Sequence, residues 1–365
     1  MTTPAPRPGI LDIAPYVGGE AVLPGVAEPA RLASNEGALG ASPRAVAAYQ
    51  ALADRLHRYP DGGAEALRAA LGRRHGLDPA RITVGAGSDE LIALLVRAYA
   101  GPGDEVLHSR HGFLMYAIAA TTAGARPVAA PERNLTADVD ALVAHATERT
   151  KLVFLANPNN PTGTYLVRDE VRRLRRDLPG QALLVIDAAY AEFVARNDYS
   201  AGDDLVDETD NVVMIRTFSK IYGLAALRLG WAYGPPPVID VLNRVRGPFN
   251  VGAAAQAAGI AALEDQAHVD AARSHNDIWR AWFTDQVKTL GLGVQPSVGN
   301  FVLVSFAARA GANADAAERF LKSRGILVRK MGSYGLPDAL RISIGLEAEM
   351  HAVVAALTAF LEQAA

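Results

Sequence analysis

Five stretches of this sequence put polar or reactive residues where an apolar run gives way to a turn. Val84-Gly85-Ala86-Gly87-Ser88-Asp89-Glu90 reads as a strand end, a glycine turn and a helix start. Free backbone N–H groups at a helix N-terminus, with the helix dipole behind them, suit a phosphate; the plainer reading makes Ser88 an ordinary N-cap. Ala156-Asn157-Pro158-Asn159-Asn160-Pro161-Thr162-Gly163 follows a buried strand, and ligands of open α/β sheets bind beyond the carboxyl ends of the strands. An asparagine there can hydrogen-bond a ligand hydroxyl, although Pro/Asn-rich turns are common without one. Leu183 to Ile186 run straight into Asp187. A carboxylate at the mouth of a buried strand is costly unless paired. A pyridinium nitrogen is one suitable partner; solvent or a helix cap is the alternative.

The fourth stretch, Arg216-Thr217-Phe218-Ser219-Lys220 continuing to Gly230, sets a lysine just after a strand among small and apolar residues. Desolvation lowers a lysine's pKa and frees the neutral amine for Schiff-base chemistry; taken alone, Lys220 is an ordinary surface lysine. The fifth, Leu340-Arg341-Ile342-Ser343-Ile344-Gly345, carries an arginine in an apolar strand. Its fork fits a carboxylate, unless the strand lies at an edge and Arg341 faces water.

Elements must exist to position these residues. From Ser42 to Arg246 short apolar runs alternate with helical patterns: Ile82 to Val84, Glu105 to Leu107, Lys151 to Leu155, Ala182 to Ile186 and Val212 to Ile215 as strands, Arg168 to Asp177 as one helix between them. Such runs predict an α/β fold with a mostly parallel sheet and helices on both faces. After Gly252 a long helical stretch, broken near His268, reaches Leu290. Strands at 300–306, 326–329 and 339–344 then mix with helices at 314–323 and 347–361, an α+β pattern. The expected division is an N-terminal segment 1–41 packing on the smaller unit or a partner, a large domain 42–247 and a small domain 248–365.

With 365 residues, 50% of them hydrophobic, the chain can bury a large core. A net charge of −3 with no basic stripe argues against nucleic-acid binding. No apolar run is long enough for a membrane span. The absence of cysteine excludes disulfides and thiolate sites and fits a cytoplasmic protein. His57, His75, His108 and His111 lack metal-ligand spacing, so no metal is expected. Trp279 and Trp282 fall three apart on a helix, as core or interface contacts do.

The order of the five stretches resembles that of fold-type I pyridoxal-phosphate enzymes, specifically the class I/II aminotransferases, over nearly the whole chain. Within that group it is similar to the histidinol-phosphate aminotransferases. The stretches behind this are Pro15-Tyr16-Val17-Gly18-Gly19, Leu32-Ala33-Ser34-Asn35-Glu36, Arg58-Tyr59-Pro60-Asp61, Pro248-Phe249-Asn250-Val251, Gly299-Asn300-Phe301, and Tyr334-Gly335-Leu336-Pro337 leading into Arg341. Ala188 stands where that family carries an acid, Gly37-Ala38 where it reads Asn-Pro, and Arg110-His111-Gly112-Phe113 in place of a Pro-Thr-aromatic run.

The resemblance implies pyridoxal 5′-phosphate as cofactor, bound covalently by Lys220, which then moves the proton. It implies that Asp187 holds the ring nitrogen protonated, that Asn160 and Tyr190 contact the ring hydroxyl and that Phe113 stacks on the ring. The phosphate falls to Ser88, Asp89, Thr217, Ser219, Arg228 and Tyr59, the last from a second subunit of a homodimer. Substrate contacts are Tyr16, Asn35, Arg329 and Arg341. The implied reaction passes the amino group of histidinol phosphate, a small-molecule donor, to the 2-oxo acid 2-oxoglutarate, in histidine biosynthesis. Transamination of aromatic amino acids, decarboxylation of threonine phosphate and a non-catalytic ligand sensor are the competing readings.

Overall fold

A computed structural model describes residues 4–306 and 312–363. A seven-stranded sheet is built from residues between Ile82 and Tyr233. Across it run Ile82–Gly85, Gly230–Tyr233, Val212–Thr217, Leu183–Asp187, Thr150–Ala156, Glu105–Ser109 and Arg126–Ala130. Gly230–Tyr233 is antiparallel to both neighbours, and every other pairing is parallel. The parallel strands therefore finish on one edge, where Asp187 and Thr217 are the last residues of theirs.

Period-two alternation sorts each strand's side chains onto two faces. Leu184, Ile186 and Met214 join one core; Leu183, Val185, Val213 and Ile215 join the other. Both faces are buried, which is why these strands read as continuous apolar runs.

A second, four-stranded antiparallel sheet is ordered Gly293–Gln295, Phe301–Ser305, Ala339–Ser343, Arg329–Lys330. Helices Gln266–Thr289, Ala314–Ser323 and Glu347–Gln363 pack on it in a separate apolar cluster. Trp279 and Trp282 lie half-buried against that cluster. Residues Ala30–Arg31 pair in parallel with Ile326–Leu327, and the Ser343 N–H donates to Leu32 O at 2.9 Å. These bonds carry the chain after Arg31 past Arg341.

Several expectations change. Arg126–Ala130 and Gly230–Tyr233 are strands that the apolar pattern did not reveal. The first is an edge strand with mostly exposed residues, and the second is only four residues long. The span 326–329 is not one strand: Ile326–Leu327 and Arg329–Lys330 belong to different sheets. The long helix breaks at Asp265, whose side chain accepts from the His268 N–H and so starts a new helix three residues before the expected break.

Candidate active site

One cavity of about 280 Å³ opens where the parallel strands end, roofed by the four-stranded sheet and residues 16–19 and 33–35. It is lined by every site residue expected from the sequence except Tyr59. That tyrosine is 82% exposed and stacks on Phe249 with ring centroids 4.6 Å apart.

The glycine turn behaves as a helix N-terminus should. Helix Ser88–Tyr99 begins after Gly87 with no side-chain cap, so Ser88 is not the N-cap and its hydroxyl is not spent on the helix. The first N–H groups of a helix have no intrahelical partner. Gly87 has φ +85°, and a Cβ there would come within 2.6 Å of Arg228 Nη2. Arg228 itself has φ 48°, donates to Asp89 Oδ2 at 2.9 Å and to Ser219 Oγ at 3.3 Å. Ser88, Asp89, Thr217, Ser219 and Arg228 all line the cavity, where the free N–H groups of the helix start, hydroxyls and a guanidinium offer donors to an anion.

Lys220 enters from the turn after Val212–Thr217. Its Nζ donates to Ser34 O at 3.1 Å and lies 5.8 Å from the Tyr190 ring centroid. Burial, then the nearby Arg341 charge, pull its pKa down to about 8, which makes the neutral amine accessible near physiological pH. The surface-lysine alternative fails. Gly37 permits this approach, because a Cβ there would sit 2.9 Å from Lys220 O.

Asp187 is 6% exposed. Burial pushes its pKa up to about 6, against the Tyr116 hydroxyl, which donates to Oδ2 at 2.7 Å. The Ala189 N–H donates to Oδ1 at 3.3 Å. Among the described residues no cation lies within 4.0 Å of this carboxylate. A cationic group on a bound ligand would complete it.

Asn160 alone of the three asparagines faces the cavity. Asn157 bonds the backbone of Leu166 through both ends of its amide, and Asn159 bonds Thr162 and His111 O. Tyr190 accepts from Asn35 Nδ2 at 2.8 Å, and burial pushes its hydroxyl up to about 12. Asn35 is held at φ 54°, a left-handed conformation that asparagine tolerates. Its amide oxygen accepts from Ser343 Oγ at 3.1 Å, so both ends are committed to placing Tyr190. Phe113 lines the wall with its ring edge-on to Tyr116 at 5.9 Å.

Arg341 is 6% exposed on an inner strand, not an edge. It donates to Asn160 Oδ1 and to Ala33 O, and its Nε is buried without a partner. Arg329 stands directly opposite it across the antiparallel pair. Arg329 donates to Val17 O, and its guanidinium lies 5.8 Å from the Tyr16 ring centroid. Like charges opposite each other on a sheet are unfavourable, and an anion between them reverses the sign.

Sequence reasoning missed Tyr116 and Tyr334. Tyr116 lies on helix Met115–Ala123, stacked on Phe154 at 4.5 Å; its link to Asp187 spans 71 positions. Tyr334 lines the cavity beside Arg341 and Tyr16. Its presence in the quoted Tyr-Gly-Leu-Pro stretch was the only signal. Among the described residues no cluster of three metal-ligating side chains occurs, and no helix is long and apolar enough to cross a membrane.

Known proteins share this arrangement. The family described as aminotransferase class I and II matches residues 28–357. A histidinol-phosphate aminotransferase of Paramagnetospirillum magneticum is 63% identical, covering 99% of both chains. One of Rhodospirillum rubrum is 60% identical over 98% of this chain and 97% of its own. The crystal structure of histidinol-phosphate aminotransferase from Sinorhizobium meliloti in complex with pyridoxal-5′-phosphate superimposes with a TM-score of 0.89 at 30% identity, covering 100% of this chain and 99% of that one. With its strand-end lysine, its aspartate and its paired arginines on one cavity, the chain belongs to the class I and II aminotransferases.

Proposed function

We propose that this enzyme transfers the amino group of histidinol phosphate to 2-oxoglutarate, giving imidazole acetol phosphate and glutamate, with pyridoxal 5′-phosphate as cofactor. The observation that carries the substrate reading is the cross-strand pair Arg329 and Arg341. Two guanidinium groups facing one cavity suit a phosphomonoester and, in the second half-reaction, a dicarboxylate. The names and identities of the relatives agree.

The cofactor supplies an electron sink for the bond broken at the substrate's α-carbon. The protein supplies placement and proton control. Lys220, with its lowered pKa, would hold the cofactor and carry the proton to and from the substrate carbon. Asp187 would keep a proton on the ring nitrogen. Asn160 and Tyr190 would hydrogen-bond the ring hydroxyl, and Phe113 would pack on the ring face. Ser88, Asp89, Thr217, Ser219 and Arg228 receive the cofactor phosphate. Arg341, Arg329 and Tyr16 receive the substrate's anions, with Asn35 positioning Tyr190.

The enzyme works as a cytoplasmic homodimer in this reading. Val46, Tyr49, Leu56, Tyr59 and Phe249 are exposed apolar or aromatic residues gathered in two stretches, 46–59 and 249, and the Tyr59–Phe249 stack joins them. A second copy covering this face brings Tyr59 to the partner's phosphate pocket. The units built on the seven-stranded and the four-stranded sheet act as large and small domains, with 1–41 as an arm; helix Ala253–Glu264, expected in the small unit 248–365, packs in the core of the large one.

Mixing the holoenzyme with histidinol phosphate, phenylalanine, glutamate and threonine phosphate, and following the cofactor absorbance, tests the reading. The expected order puts histidinol phosphate first; faster turnover of phenylalanine moves the assignment to an aromatic aminotransferase. Lys220→Ala should stop turnover and leave the fold intact. Mixing that variant with Tyr59→Phe should restore part of the activity, since one site of the heterodimer is whole; a fully active monomer contradicts the dimer.

A further inference from the structure

Behind the cavity, and not lining it, lies a buried ion pair that the mechanism leaves unused. The Arg216 and Glu192 side chains are 11% and 8% exposed, with Nε and Oε1 3.8 Å apart. Neither of those atoms has a hydrogen-bond partner. A buried pair in this loose geometry is poor value for stability, because desolvation offsets most of the attraction. Its position suggests another use.

Arg216 immediately precedes Thr217 and Glu192 follows Tyr190 by two residues. Arg216 lies in strand Val212–Thr217, and Glu192 lies in the short helix that follows the parallel neighbouring strand Leu183–Asp187. The last backbone bond between them runs from the Ala188 N–H to Ile215 O, at 2.9 Å. Beyond it the chains part, one into the short helix Ala191–Phe193 behind Tyr190, the other into the Lys220 turn. The ion pair links the two segments beyond that bond.

Both partners are fixed from the far side. Arg216 Nη1 donates to His75 Nδ1 at 3.2 Å, and the rings of His75 and Trp231 stack at 5.2 Å. Arg216 also lies 5.6 Å from the Trp231 centroid. Because His75 accepts at Nδ1, it is the neutral tautomer with its proton on Nε2. Glu192 is held through its backbone oxygen by Arg273 Nε at 2.8 Å, from helix Gln266–Thr289.

We infer that Arg216 and Glu192 are positioning residues, a clamp that sets the spacing of the Tyr190 and Lys220 turns. The inference rests on the aminotransferase reading above. Neither residue touches cofactor or substrate; both act through the turns they hold.

Single replacements leave an unpaired buried charge and so confound stability with placement. The informative variant is Glu192→Leu/Arg216→Met, which removes both charges. Its melting temperature should return to that of the wild type, above either single variant. Its kcat with histidinol phosphate should still be roughly tenfold or more below wild type, the cost of a small misplacement, with KM within about twofold. The pH midpoint of the cofactor band, read without substrate, should shift as well. Wild-type kcat together with a wild-type midpoint in the double variant would overturn the clamp. If the double variant does not fold, Arg216→Lys keeps the charge but not the fork; it should lose kcat at unchanged melting temperature, and unchanged kcat overturns the proposal. The midpoint needs no substrate, so it tests the clamp even where histidinol phosphate is the wrong donor. That failure shows instead as an inert wild type.

Discussion

Glu105 and Asp187 are both buried carboxylates of the same sheet, at opposite ends of its parallel strands. Glu105 opens its strand and Asp187 closes its own. Burial pushes Glu105 up, but hydrogen bonds from Arg126, Thr147 and Arg149 overcome it and hold the pKa at about 2. Burial pushes Asp187 up to about 6, opposed by the Tyr116 hydroxyl, one backbone N–H and, more weakly, the Lys220 charge. The difference is one of completed partners. Glu105 meets two guanidinium groups within 3 Å and is finished by the fold. Asp187 meets no cation within 4.0 Å among the described residues, which leaves room for the cationic ligand group proposed above. Two buried acids of similar exposure are thus told apart by their donors.

The largest expected effect breaks the site side of this contrast. Asp187→Asn removes the charge that matches a protonated ring nitrogen. Losing one member of a buried pair is worth about 3–5 kcal/mol, which is about two to four orders of magnitude in turnover. Steady-state kinetics on the cofactor-loaded variant check this, and near wild-type turnover would remove Asp187 from its role. Next is Arg329→Ala. Catalytic efficiency should fall by about 2–5 kcal/mol for histidinol phosphate, as for a broken desolvated charge contact, and much less for phenylalanine, whose side chain carries no anion. Equal losses for both substrates would show that Arg329 supports structure only.

Glu105→Gln sharpens the other side. Its pKa lies near 2 in the fold against 4.5 ordinarily, a difference of about 3 kcal/mol. The folded value is depressed, so the contribution is whole above pH 4.5 and drains away as pH falls toward 2. Denaturant melts should find the variant less stable at neutral pH, with the gap closing in acid and kcat little changed. In cofactor-free protein Asp187 has the opposite sign. Its folded value is raised from 3.8 to about 6, so ionisation is disfavoured by the fold. That penalty is absent below pH 3.8 and complete above 6, and cofactor-free Asp187→Asn should gain on wild type across that window.

Much of this was legible in the sequence because the chemistry sits at strand ends. An apolar run that stops at Asp187, or at Thr217 just before Lys220, marks both the strand and the residue it delivers. Arg341 was legible as a charge in an apolar strand. What was illegible is what depends on register between distant strands. That Arg329 faces Arg341 follows from the pairing of a two-residue strand whose existence no periodicity signals. Arg126–Ala130 is missed because an edge strand need not be apolar. Tyr116 looks like a core aromatic, stacked on Phe154 as core aromatics are; only its hydroxyl distinguishes it.

Tyr116→Phe carries the smallest expected effect and probes the contrast most finely. The substitution keeps the ring, and with it the packing on Phe154, and deletes one hydrogen bond to a carboxylate. Hydrogen bonds to charged groups are worth about 1.5–3 kcal/mol, or roughly one to two pKa units. The Tyr116 bond favours ionised Asp187, so its loss should raise the titration midpoint of Asp187 in cofactor-free protein above 6. Carbon-detected NMR of labelled aspartate reads that midpoint directly. With the ring nitrogen as the proposed partner in the loaded enzyme, turnover should drop by about tenfold or less, well short of Asp187→Asn. An unmoved midpoint would mean that burial alone sets Asp187. The contrast with Glu105 would then reduce to depth, and the donors would explain nothing.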